Sequence, residues 1–66
     1  MRKNMSSEKM EILVSFFENL ERLYSSTLNR DVEEANKLHI IMEDMYDSAT
    51  SMISDSDHYK LDQRLA

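Results

Sequence analysis

Apolar residues fall at Met10, Leu13, Phe17, Leu20 and Tyr24, alternately three and four positions apart. The same rhythm returns at Ala35, Leu38, Met42, Met45, Ala49 and Met52. Steps of three and four keep side chains on one face of a helix, so each series predicts an amphipathic α-helix. Phe16 and Leu23 widen the first stripe on one side, and Val14 and Leu28 widen it on the other. The spacing predicts one helix over residues 6–28 and a second over residues 31–54. Ser6 is the expected cap of the first, because its hydroxyl can accept a hydrogen bond from an amide of the opening turn. Met5 and Met10 are placed to close a hydrophobic staple across that cap.

Between the stripes the chain reads "LNRDVEE". Asn29 is the residue best suited, after glycine, to end a helix in the left-handed conformation. Asp31 and Glu34 have the spacing of a capping box that restarts one. Glu33 and Glu34 also place negative charge at the positive end of the second helix. An αα-hairpin with a reversal of about three residues is expected, the alternative being one continuous helix. Pairing Tyr24 with Ala35, Leu20 with Leu38, Phe17 with Met42, Leu13 with Met45 and Met10 with Ala49 keeps the stripes in register layer by layer. Both alanines then oppose large residues, as interdigitating layers require. That agreement favours the hairpin.

After Met52 the rhythm breaks. "SDSD" over residues 54–57 offers side chains that compete for backbone hydrogen bonds. Leu61 and Leu65 do not continue the earlier phase. Residues 57–65 are therefore expected to form a short third helix capped by Ser56 or Asp57, or a frayed tail, with residues 1–5 frayed at the other end.

Composition sharpens this reading. The 66 residues include no glycine and no proline, which removes the usual tight turns of sheets. The fold class is all-α, a single domain. There is no cysteine, so neither a disulfide nor a thiolate metal site can staple the chain. With 41% hydrophobic residues the chain is too apolar to be disordered. A domain this small buries only ~60% of the surface its unfolded form exposes, so a partner is the remaining source of stability. Phe16, Leu23, Ile41, Tyr46 and Ile53 flank the paired stripes, and a lone hairpin cannot cover them. Burying each is worth ~1.5–3 kcal/mol. They are the expected self-association surface of a homodimer or larger assembly, with two hairpins forming a four-helix bundle. Ile12 and Ile40 point further outward, close in sequence to Glu43 and Asp44, and these four form the expected surface for another protein.

Net charge changes the list of partners. At −5 the chain repels phosphate backbones, which disfavours nucleic acid. The basic group Arg2, Lys3 and Lys9 is small. The N-terminal apolar stretch is interrupted by "EKME" and lacks a small-residue cleavage site. No stretch approaches the about 18 apolar residues that cross a bilayer, so a cytoplasmic protein without a membrane role is expected.

Candidate chemistry adds little. Glu33/Glu34 and Glu43/Asp44 are acidic pairs, but bundle metal sites use inward glutamates and Glu-x-x-His motifs, and Asn36 stands three residues before His39. No metal and no cofactor are expected. His39 is read as pairing with Glu43, and His58 lies between Asp55 and Asp62. The serines have no histidine–acid partner set and no glycine-rich loop is present. The chain is read as non-enzymatic. Met10, Met42, Met45 and Met52 lie at seam spacing and are read as core before an adaptable binding surface.

In architecture the hairpin over residues 6–56 resembles the plasmid RNA-binding Rop proteins, which implies a dimeric four-helix bundle with an RNA-binding face on paired first helices. Here that helix carries Lys9 and Arg22 beside Glu8, Glu11, Glu18 and Glu21, which departs from such a face. The small helical-hairpin chaperones of type III secretion resemble it in size and shape. The leading functional expectation is a regulator, adaptor or inhibitor acting through protein–protein interaction, of the kind encoded by phages and mobile elements. A chaperone or assembly factor covering a partner helix is the second expectation, and a Rop-like RNA-binding bundle the third.

Overall fold

A computed structural model of the protein describes residues 4–66. It is all-helical: α1 spans Ser7–Arg30, α2 Val32–Ser51 and α3 Asp55–Leu65. Ser6 caps α1 from an extended backbone, its Oγ accepting the Lys9 amide at 3.2 Å. Met5 and Met10 pack in one apolar cluster, as a staple across that cap requires.

The reversal is tighter than the sequence suggests and is made by a different residue. Asn29 and Arg30 continue α1, and no described residue has a positive φ. Asp31 alone, extended at φ −153° and ψ 105°, separates the helices. Its amide donates to the Thr27 carbonyl at 2.7 Å and closes α1. Its Oδ1 accepts the amides of Glu33 at 3.0 Å and Glu34 at 3.3 Å and opens α2. One residue thus serves both helix ends, so a left-handed terminator is unnecessary. The Asp31 amide is spent on Thr27, which takes the place of the return bond expected from Glu34.

α1 and α2 pack antiparallel. Near the turn Tyr24 tilts against His39, with ring centroids 5.5 Å apart, and two turns further Phe17 meets Tyr46 edge-on at 5.4 Å. Ala35 is fully buried, and Leu13, Leu20, Leu38, Met42, Met45 and Ala49 are half-buried along the seam. α2 stops at Ser51 rather than residue 54. Thr50 Oγ1 donates to the Tyr46 carbonyl and Ser51 Oγ to the Ser48 carbonyl, the local side-chain competition that such residues bring to a helix.

α3 begins earlier than expected, with Ser54 as its cap in place of Ser56 or Asp57. The Ser54 Oγ accepts the Asp57 amide at 3.1 Å. The helix is not a frayed tail, because it folds back along α1 and drives Leu61 into the core with Met10, Val14 and Phe17. Leu61 is 0% exposed and Val14 1%. The core is therefore turned away from Leu13 toward Val14, the side on which α3 lies. Two polar ties hold α3 in place. Arg64 grips Glu11 with both guanidinium nitrogens, Nη2 donating to Oε2 at 3.0 Å and Nη1 to Oε1. Buried Asp57 accepts the Met5 amide on Oδ2 at 2.8 Å. Beside it Ser54 Oγ donates to Asn4 Oδ1 at 2.8 Å. Asn4 and Met5, expected to fray, are anchored; the rest of that expected segment, residues 1–3, lies outside the described residues.

Candidate interaction surface

The hairpin has two flanks, and α3 covers one. On that side Tyr46 sits between Phe17 and His58, the His58 ring 5.9 Å away, and Ile53 packs against the core. Two of the five residues expected to drive self-association are thus already engaged within the chain. The other three, Phe16, Leu23 and Ile41, stay 43–53% exposed.

Those three belong to a second pair of stripes. Leu13, Phe16, Leu20, Leu23 and Thr27 on α1 repeat at three-four spacing, as do Leu38, Ile41, Met45 and Ser48 on α2 with Met52 just past its end. Leu13, Leu20, Leu38 and Met45 straddle the inner and outer stripes, which is why they are only half-buried. A stripe this wide is what a helix inside a bundle needs, against the narrower stripe that suffices for a two-helix contact. The open flank forms two grooves. One runs between Phe16, Leu13, Met45, Ala49 and Met52. The other, toward the turn, lies between Leu23, Leu38 and Ile41 and is edged by Arg30 and Lys37. Lys37 Nζ stands 3.8 Å from Glu34 on the same helix.

Of the four residues expected to bind another protein, only Ile40 and Asp44 are brought to one side. Ile12 borders the open flank beside Phe16 and Glu8, and Asp44 borders the groove containing Phe16 and Met45. Ile40 lies about 100° around α2 from Ile41, on the outward side and 61% exposed. Glu33, Asp44 and Asp47 stand one or two turns from it on that side. Glu43 turns toward the α3 flank, where its carboxylate is 3.6 Å from His39 Nε2. On the same flank His58 Nε2 is 3.6 Å from Asp62.

Sequence reasoning missed the residues that dock α3. The spacing of Leu61 and Leu65, one turn apart, was the available signal for a buried face on that helix. Asp57 was marked only as a candidate cap and not as a buried tie, because an acid at the start of a helix is ordinarily solvated there. Electrostatically the clearest group is Glu11: the hydrogen bond from Arg64 holds its carboxyl below the ordinary value of 4.5. Among the described residues no cluster of histidine and carboxylate side chains is arranged to hold a metal, and no helix is long and apolar enough to cross a membrane. Comparison with known protein families, curated proteins and solved structures finds no match.

Proposed function

We propose that this is a non-enzymatic helical protein that acts through protein–protein interaction, as a regulator, adaptor or inhibitor, in the form of a self-associated four-helix bundle. The observation that carries this reading is the one-sided coverage of the hairpin. α3 buries one flank, while Phe16, Leu23, Ile41 and Met52 remain exposed on the other. These side chains are in phase along two neighbouring helices, so they form one continuous surface and not scattered exposed residues. Removing each from water is worth ~1.5–3 kcal/mol at full burial, a large gain for a domain whose own core holds so few fully buried residues.

The outward side of α2, with Ile40 among Glu33, Asp44 and Asp47, then remains for a second protein. Its chemistry suits a segment that offers an apolar side chain edged by Lys or Arg. The reading is tested by sedimentation over a concentration series together with two variants. The unmodified chain is expected to associate at micromolar concentration. Ile41→Asp should leave a folded monomer, because a charge would be buried without a partner in the assembly. Ile40→Asp should still associate and lose binding to the natural partner. A chain that stays monomeric at all concentrations refutes the bundle.

A further inference from the structure

We propose that the cleft just beyond the end of α3 seats an arginine side chain presented by another protein, its guanidinium lying between Glu21 and Glu43. This rests on the reading of the chain as a protein-binding molecule and is independent of the self-associated bundle.

The first argument is where α3 stops. The Met5–Asp57 and Glu11–Arg64 bonds advance together along both helices, so α3 runs parallel to α1. With 11 residues against the 24 of α1, it covers only the part of its flank that lies away from the turn. On α1 the stripe facing that flank reads Met10, Val14, Phe17 and then Glu21, at unbroken three-four spacing. On α2 it reads Thr50, Tyr46, Glu43 and His39 at the same spacing. Beyond the last turn of α3 both stripes therefore change to a carboxylate. The Phe17–Tyr46 and Tyr24–His39 ring contacts bracket Glu21 and Glu43. The two acids thus stand at the same level on facing helices, where a shared cation would relieve their repulsion.

The cleft between them has an apolar floor and a negative mouth. Its volume is about 570 Å³, within the roughly 300–1,000 Å³ of ligand-holding clefts. Phe17, Met42, Tyr46 and Leu65 form the floor, and no lysine or arginine lines it. Asp47 and Asp62 join the two glutamates at the mouth. Glu43 and Asp62 each have a histidine nitrogen at 3.6 Å, while Glu21 and Asp47 enter no ion pair among the described residues. α3 ends at the same place and adds the negative end of its dipole.

An apolar floor under a negative mouth matches a long side chain with an aliphatic stem and a cationic head. Arginine suits it better than lysine, because a planar guanidinium can lie against aromatic rings and offers donors in several directions. From Asp47 to His39 the cleft runs about 12 Å along α2, room for one such side chain and not for a long helix. A second copy of the chain is the poorer source. Each of the three helices carries more acidic than basic residues, so another copy brings carboxylates toward carboxylates.

The probe is a short acetylated and amidated helical peptide with one arginine among alanines and glutamines, titrated into the isotope-labelled chain while amide shifts are followed. Saturable shifts are expected around Phe17, Glu21, Glu43 and Leu65. Glu21→Gln and Glu43→Gln should each weaken binding about tenfold, the loss of one charged hydrogen bond. Glu8→Gln, which removes an exposed acid near the other end of α1, should leave it unchanged. A lysine peptide should bind severalfold more weakly and a glutamine peptide not at all. The proposal is overturned if no amide shifts, if the shifts centre on Leu23 and Ile41, or if the glutamine peptide binds as well. Equal weakening by Glu8→Gln also overturns it, by showing attraction to net charge alone. If spermidine binds as tightly as the peptide, the cleft takes small cations; if the same amides shift with the concentration of the chain alone, its occupant is a second copy. Either result overturns the assignment to another protein. Sedimentation reads the bundle separately: a monomer that binds the arginine peptide refutes the bundle and keeps this site. Circular dichroism of each variant confirms that helix content is retained.

Discussion

The two flanks of the hairpin start from similar side chains and end differently. On one, Val14, Phe17 and Tyr46 lie beneath α3 and are buried or half-buried. On the other, Phe16, Leu23 and Ile41 face outward at about half their full exposure. Intrinsic hydrophobicity does not separate the two groups. What separates them is Leu61, which the chain itself delivers to the first flank, and the Glu11–Arg64 and Asp57–Met5 ties that hold it there. The width of an apolar stripe states how many neighbours a helix requires, but the connection that follows decides which are supplied within the chain.

The largest effect is expected on the covered flank. Leu61→Ala removes a fully buried side chain and should cost about 2–5 kcal/mol, enough to unfold much of a domain this small. Thermal unfolding by circular dichroism checks it, and an unchanged midpoint would mean that α3 contributes no core. Next comes the seam between the flanks: Ala49→Glu should lower the melting temperature much more than Asp47→Ala, since Ala49 packs against the core and Asp47 is exposed. Equal midpoints for the two would show that the register of the hairpin is wrong. On the open flank Leu23→Ser should change the stability of the dilute monomer by only about 0.5 kcal/mol, while association at higher concentration falls. A large loss at low concentration would erase the distinction between the flanks.

The smallest expected effect concerns acid. Glu11 has its carboxyl lowered by Arg64 in the folded chain. The stabilisation from this pair is therefore complete above the ordinary value of 4.5 and is lost as pH falls through the lower folded value. Amide exchange in α3 should accelerate over that acid interval, and Glu11→Gln should abolish this component of the change. The pair is exposed and screened, so the effect should be modest; an identical acid profile in the variant would show that Arg64 gains nothing from the carboxylate.

Much of the hairpin was legible because three-four periodicity is a direct imprint of helical geometry. Two matching stripes and the Asp31 cap indicated where the chain turns. The terminating role of Asn29 was misread because local preference for a left-handed residue is irrelevant once one extended aspartate satisfies both helix ends. α3 was harder. Leu61 and Leu65 are out of phase with α2 since they belong to a separate helix, and phase within eleven residues says little about which way that helix folds back. The surface residues inherited the same ambiguity. Tyr46 and Ile53 are equivalent in pattern to Phe16 and Ile41 and differ only because α3 covers them, and of Ile12, Ile40, Glu43 and Asp44 only Ile40 and Asp44 share a side of the molecule.

The ties between α3 and α1 also set an order of events in time. The hairpin joins positions close in sequence around a single turning residue, so it can form with little chain to close. The Met5–Asp57 and Glu11–Arg64 bonds join residues 52 and 53 positions apart, and the entropy of closing that longer loop is recovered only after the hairpin exists. α3 should therefore dock last and open first, as a separate unit of lower stability than the hairpin. Each such opening exposes Val14 and Tyr46 for an instant and makes the two flanks alike, so the asymmetry of the surface lasts only as long as the third helix stays home.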